Sequence, residues 1–181
     1  EEALFLQALA QQPLPAGYQA LIVPRHPQRF TDIAHMAKAA GWQVLRRSDF
    51  ANTLPLFDKT QKTLLLGDSM GEMAFYYGLS DICLMGGSFL PYGGQNLIEA
   101  LACYCPVILG PHTYNFAEAS LSAIEANLAQ TAPDLPAALA MAIEYMAEDN
   151  KQAALPATRF HEYLAQHQGG IGRSMAVIAA Y

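Results

Sequence analysis

Short apolar runs alternate with longer amphipathic stretches along almost the whole chain. Residues 19–23 (QALIV), 42–46, 63–66 (TLLL), 81–85 and 106–109 are short, mostly apolar segments bounded by turn-forming residues, the pattern of buried strands. Between them, residues 2–12, 29–40, 70–79, 96–103 and 116–125 read as helices, with Gly41 placed to stop the second. Residues 126–130 form a weak last strand, and residues 52–62 are a polar, proline-containing loop. From residue 136 onward the chain reads as helical, with breaks near Asn150 and at Gly169-Gly170. Strands that are apolar on both sides, each followed by a helix, imply a parallel sheet with both faces covered. The fold class is therefore α/β: a Rossmann-like, doubly wound parallel sheet with a helical C-terminal tail. In such sheets ligands bind outside the carboxyl ends of the strands, so the loops there are the candidates for chemistry.

Composition narrows this picture. The 181 residues suit one domain spanning residues 1–181, and 52% hydrophobic against 14% charged residues argues against disorder. Sixteen acidic and ten basic residues give a net charge of -6, which lacks the general basic footprint of a nucleic-acid binder. A local cationic pocket for a phosphate remains compatible with it. Cys83, Cys103 and Cys105 form no spaced framework, and they read as buried, reduced thiols. No apolar run reaches the roughly 18 residues of a membrane-spanning helix, and no signal peptide is visible. The chain starts at Glu1-Glu2 and enters a helix at once, as a piece of a longer protein would.

Four strand-end loops carry the chemistry. In Val23-Pro24-Arg25-His26-Pro27-Gln28-Arg29, two prolines bracket Arg25 and His26, and a guanidinium at a strand end suits bidentate phosphate binding. A solvated arginine beside a helix start is the alternative. In Gly67-Asp68-Ser69-Met70-Gly71-Glu72, either Asp68 or Ser69 caps the next helix, or backbone around Gly67 and Gly71 forms a slot for a flat base with Met70 as its wall. The third loop, Gly86-Gly87-Ser88 through Gly93-Gly94-Gln95-Asn96, has four glycines that permit close backbone approach to a ligand. It leads into a helix start, an anion-favouring position. Ser88 offers a hydroxyl to a phosphate. Asn96 and Glu99 either form a capping pair or face a ribose. The absence of a G-x-G-x-x-G at that helix disfavours NAD. The fourth loop, Gly110-Pro111-His112-Thr113-Tyr114-Asn115-Phe116, places His112 toward the same cleft and Asn115 where it would cap a helix. The remaining histidines show no metal spacing, and no Ser-His-Asp order or nucleophile elbow is present.

Together, in this order and at these intervals, the four loops resemble 3-deoxy-D-manno-octulosonic acid (Kdo) transferase, a GT-B glycosyltransferase of lipopolysaccharide synthesis. The resemblance covers residues 1–125 well and the helical tail loosely. It implies that this chain is the C-terminal half, which holds the CMP-Kdo donor for inverting transfer to a lipid A precursor without a metal or other cofactor. Carried over, Arg25 and Ser88 meet the donor phosphate, and His26, Gly86, Gly87, Gly94 and His112 are further donor-binding positions, His112 suited to a carboxylate or sugar hydroxyl. Gly67, Met70, Gly71 and Glu72 meet the cytosine, and Asn96 and Glu99 meet the ribose or phosphate side. Where the family has histidine and then asparagine-proline, this chain has Gln95-Asn96-Leu97, so a titratable group is absent.

The resemblance also places the catalytic base, a glutamate, in an N-terminal domain outside this chain, together with acceptor binding and membrane association at the cytoplasmic face of the bacterial inner membrane. No catalytic residue is assigned here. Glu1-Glu2 resemble the end of a family turn that follows a sheet strand. That strand would lie between the strands at residues 19 and 63, and in its absence these two would pair directly or leave a gap. Another nucleotide sugar as donor, an epimerase, or a non-catalytic Rossmann-like binding module are the competing readings.

Overall fold

Among the described residues six short parallel strands alternate with helices, and their neighbours decide which are buried at every position. The computed structural model describes residues 1–50, 62–147 and 155–167. β1 (Ala20–Ile22), β2 (Gln43–Arg46) and β3 (Thr63–Leu66) form one sheet in the order β1-β3-β2. β4 (Cys83–Leu84), β5 (Val107–Leu109) and β6 (Ala129–Thr131) form another, in chain order. Every pairing is parallel. The central strands β3 and β5 are buried at each position, whereas the edge strands expose Gln43, Gln130 and Thr131. A strand flanked on both edges and covered on its faces leaves polar side chains no route to water.

The parallel α/β class agrees with expectation, but hydrogen bonding divides it into two three-stranded sheets. β1 and β3 pair directly, with Ala20 opposite Leu64 and Ile22 opposite Leu66, so no gap separates them. The last strand falls at Ala129–Thr131, later than residues 126–130 suggest, because residues 126–128 end the preceding helix.

The helices are α1 (Glu2–Gln11), α2 (Phe30–Ala39), α3 (Met73–Leu79), α4 (Leu97–Ala102), α5 (Ala117–Glu125), α6 (Leu135–Met146) and α7 (Ala157–His167). Three of them stop in the same way. After α2, Gly41 lies at φ +83, its N–H donates to Lys38 O, and the Trp42 N–H donates to Ala37 O. After α4, Tyr104 (φ +60) and Cys105 repeat the pattern onto Leu101 and Ala100. After α5, Asn127 (φ +54) and Leu128 repeat it onto Ile124 and Ala123. This crossed pair of bonds satisfies the last carbonyls and turns the chain, here into β2, β5 and β6. Tyr104 is the costly member, because a Cβ disfavours the left-handed region. Its hydroxyl is hydrogen-bonded to His161 at 2.6 Å, and its ring packs edge-on to Phe160.

α6 ties the molecule together. Leu139 enters the core formed by α1, α2, β1 and β3, while Ala138 and Ala142 pack with Ile108 of β5. α6 starts at an Asp134 cap, whose carboxylate accepts from the Ala137 N–H at 2.8 Å. α7 supplies Phe160 and Tyr163 to the core around α4 and β5. The predicted breaks near Asn150 and at Gly169-Gly170, and most of the 52–62 loop, lie outside the described residues. Among the described residues, no helix is long and apolar enough to cross a membrane.

Candidate functional site

The loops that follow β4 and β5 lock into each other through their backbones. Gly94 N–H donates to Gly87 O at 2.8 Å, His112 N–H to Ser88 O at 2.9 Å, and Asn115 N–H to Gly93 O at 3.0 Å. Ser88 is completely buried. Its hydroxyl donates to Met85 O at 2.6 Å and accepts from the Gly110 N–H at 2.7 Å. A Cβ on Gly110 would lie 2.3 Å from Ser88 O, and one on Gly93 would strike the Asn115 amide. The glycine run thus serves contact between two loops, where the sequence suggested only contact with a ligand. Asn115 does not cap α5. Its amide instead donates to Tyr92 O at 3.0 Å, and Tyr114 donates its hydroxyl to Pro91 O at 2.6 Å.

An internal anion occupies the front of the glycine loop. The Glu1 carboxylate accepts from the backbone N–H groups of Gly87, Phe89 and Leu90, the latter two at 2.8 Å. Gly87 lies at φ +75, and successive amides around such a residue form an anion-binding concavity. The neighbouring Glu2 accepts from Arg29 at 3.2 Å. One dipeptide at the start of α1 therefore touches both the loop after β1 and the loop after β4.

The loop after β3 is held by residues that sequence reasoning missed. Asp68 is buried, with its side chain 2% exposed. It accepts from Arg46 Nε at 2.7 Å, from the Ser48 N–H at 2.8 Å and from the Ser48 hydroxyl at 2.7 Å. Burial opposes its ionisation, but the Ser48 bonds and the Arg46 guanidinium outweigh that and hold its carboxyl below the usual aspartate range. Glu72 pairs with Arg47 at 2.9 Å and accepts from the Ser69 hydroxyl, which also meets the Tyr76 hydroxyl. Arg47 lies over the Phe75 ring at 5.2 Å. Neither Asp68 nor Ser69 caps α3, which starts only at Met73. A side chain on Gly67 would strike Tyr76 and Val23. Arg46 ends β2 and Arg47 follows it, with no motif around them, and only their position at a strand end pointed to them.

What remains uncommitted is informative. Arg25 and His26 are exposed and make no hydrogen bond to any described residue, in contrast to Arg29, Arg46 and Arg47. Met70 is 66% exposed at the tip of its loop beside Gly71 (φ +77). The His112 imidazole is half-buried. Asn96 does cap α4, accepting from the Ile98 N–H at 3.2 Å and donating to Glu99 at 3.1 Å, and Glu99 is exposed. Among the described residues no cluster could hold a metal ion. A cavity of about 310 Å³ lies between α1 and the start of α6, with Phe89 of the glycine loop in its wall. Its one charged lining residue, Asp134, is spent on the α6 cap, so it offers a phosphate no cation. The strand-end loops are the better candidate.

No family model matches the chain. Among curated proteins it is 42% identical over 184 residues to the 3-deoxy-D-manno-octulosonic acid transferase of Bordetella pertussis, covering 97% of this chain and 41% of that protein. It is 37% identical to the enzyme of the same name from Haemophilus influenzae, covering 89% and 36%. The chain thus spans about two fifths of the length of these relatives. Among solved structures it matches the C-terminal CMP-Kdo binding domain of WaaA from Acinetobacter baumannii. The TM-score is 0.75 at 28% identity, covering 90% of this chain and 82% of that one.

Proposed function

We propose that this chain, which belongs to the 3-deoxy-D-manno-octulosonic acid transferase family, is the donor-binding half of such an enzyme and holds CMP-Kdo. One observation carries the reading most directly. Arg25, at the carboxyl end of a parallel strand, is exposed and without a described partner, while Arg29, Arg46 and Arg47 are each engaged by a carboxylate. A free guanidinium at that position suits the donor phosphate. The loop containing Ser88 and Gly94, with His112 bonded to it through the backbone, completes the proposed site together with His26. Met70 and the backbone from Gly67 to Glu72 receive the cytosine, and Asn96 and Glu99 receive the ribose.

In the transfer, the bond between the sugar's anomeric carbon and the phosphate oxygen breaks, and CMP departs with that electron pair. Arg25 stabilises the charge that develops on the leaving phosphate. The acceptor hydroxyl, on a lipid A precursor, attacks the anomeric carbon, its oxygen forming the new glycosidic bond as its proton passes to a carboxylate base contributed by an N-terminal domain. Acceptor binding and membrane association at the cytoplasmic face also belong to that domain. Titration calorimetry of the chain with CMP, CMP-Kdo, UDP and NAD tests the donor assignment. CMP and CMP-Kdo are expected to bind about tenfold or more tighter than UDP, a difference of about 1.4 kcal/mol or more, with no heat from NAD. Equal or tighter binding of UDP overturns it.

A further inference from the structure

We infer that Glu1 is a positioning residue for the donor site: its carboxylate fills the amide concavity of the glycine loop and so fixes that loop against α1. The inference rests on the donor-binding reading. Its observation is the set of three hydrogen bonds from Gly87, Phe89 and Leu90 to both oxygens of one carboxylate, spanning more than 80 residues of sequence. Three converging N–H groups with no acceptor would repel one another and seek water, so the loop would open. With Glu1 in place, the amides are already satisfied. The donor phosphate is therefore excluded from this concavity and falls to the exposed Arg25. Glu2 supports the same division by occupying Arg29, which leaves Arg25 as the uncommitted cation of its loop.

The loop held by Glu1 is also the one that Ser88 joins to Met85 and Gly110 from behind. It is thus clamped on two sides, by a hydroxyl within the core and by a carboxylate at the front. The clamp acts on the phosphate side of the site. The base side, Gly67 to Glu72, is anchored separately by Arg46, Arg47 and Ser48. Loss of Glu1 should therefore affect ligands with a phosphate and spare those without one, which a general loss of structure would not do.

Amide hydrogen exchange by NMR and titration of CMP and cytidine test this on wild type, Glu1→Ala and Glu1→Gln. Exchange at Gly87, Phe89 and Leu90 is expected to accelerate about tenfold or more in Glu1→Ala, with other core amides unchanged. CMP should bind about tenfold more weakly while cytidine stays within about twofold. Glu1→Gln, which keeps the shape and one accepting oxygen, should fall between the two. Unchanged exchange at the three amides overturns the clamp. Accelerated exchange with unchanged CMP affinity, or with CMP and cytidine weakened equally, overturns the positioning role. If wild type binds neither CMP nor CMP-Kdo, the donor reading itself fails and the positioning role with it, and the exchange rates still decide whether the clamp exists.

Discussion

Replacing Asp68 by Asn should destabilise the chain at neutral pH and remove one source of its acid sensitivity. The native carboxylate accepts three hydrogen bonds, one from Arg46 and two from Ser48, and its side chain is 2% exposed. Hydrogen bonds to a charged group contribute about 1.5–3 kcal/mol each. Arg46 is 35% exposed, so its share is screened and falls to about 1 kcal/mol or less. Asparagine keeps one accepting oxygen but turns an NH₂ toward Arg46 or Ser48, where it opposes another donor. The net loss at pH 7 is about 2–3 kcal/mol, which lowers the melting temperature by about 4–12 °C in a chain of this size. The pH dependence has a definite sign. Because the native pKa lies below the unfolded value, the stabilisation is present above the unfolded pKa, about 3.9, and is lost as pH falls through the lower native value. Urea unfolding of both proteins across pH 3–7 measures this. The two stabilities should converge in acid. Equal stability at pH 7, or a gap that persists in acid, would refute the reasoning.

Arg25→Ala should weaken CMP binding about 10- to 100-fold, the loss of one charged hydrogen-bonding group, and leave stability within about 0.5 kcal/mol because the side chain is exposed without a described partner. Calorimetry and urea unfolding on the same preparation separate the two effects. The same Gly-to-Ala change should have opposite signs at two sites. Gly110→Ala places a methyl 2.3 Å from Ser88 O and costs about 1–3 kcal/mol, whereas Gly78→Ala in α3 meets nothing and stabilises by up to about 1 kcal/mol. Thermal melts of the two variants check this.

Much of the fold was legible because it is written in near neighbours. Apolar runs marked the strands, Gly41 marked the end of α2, and glycines marked the loops that lock together after β4 and β5. Misreadings arose where local chemistry had two outlets. Asp68 and Asn115 are competent caps, but each found a more distant partner, Arg46 with Ser48 in one case and Tyr92 O in the other. Asn96, with no such competitor, capped α4 as its Asn-x-x-Glu spacing suggests. Tyr104 in the left-handed region had no signal in sequence, since its ring is supported by Phe160 and His161 from α7.

The sequence by itself determined which segments become strands and helices, and which strand ends carry the candidate loops, because backbone stereochemistry and the period of apolar residues act over a few positions. Only the tertiary structure decided that the glycine loop is filled by Glu1, that Arg46 and Arg47 anchor the loop after β3, and that Arg25, unlike these arginines, meets no partner among the described residues. Those outcomes join residues from about 20 to almost 90 positions apart, and the sheet order that brings them together leaves no periodic trace in the chain.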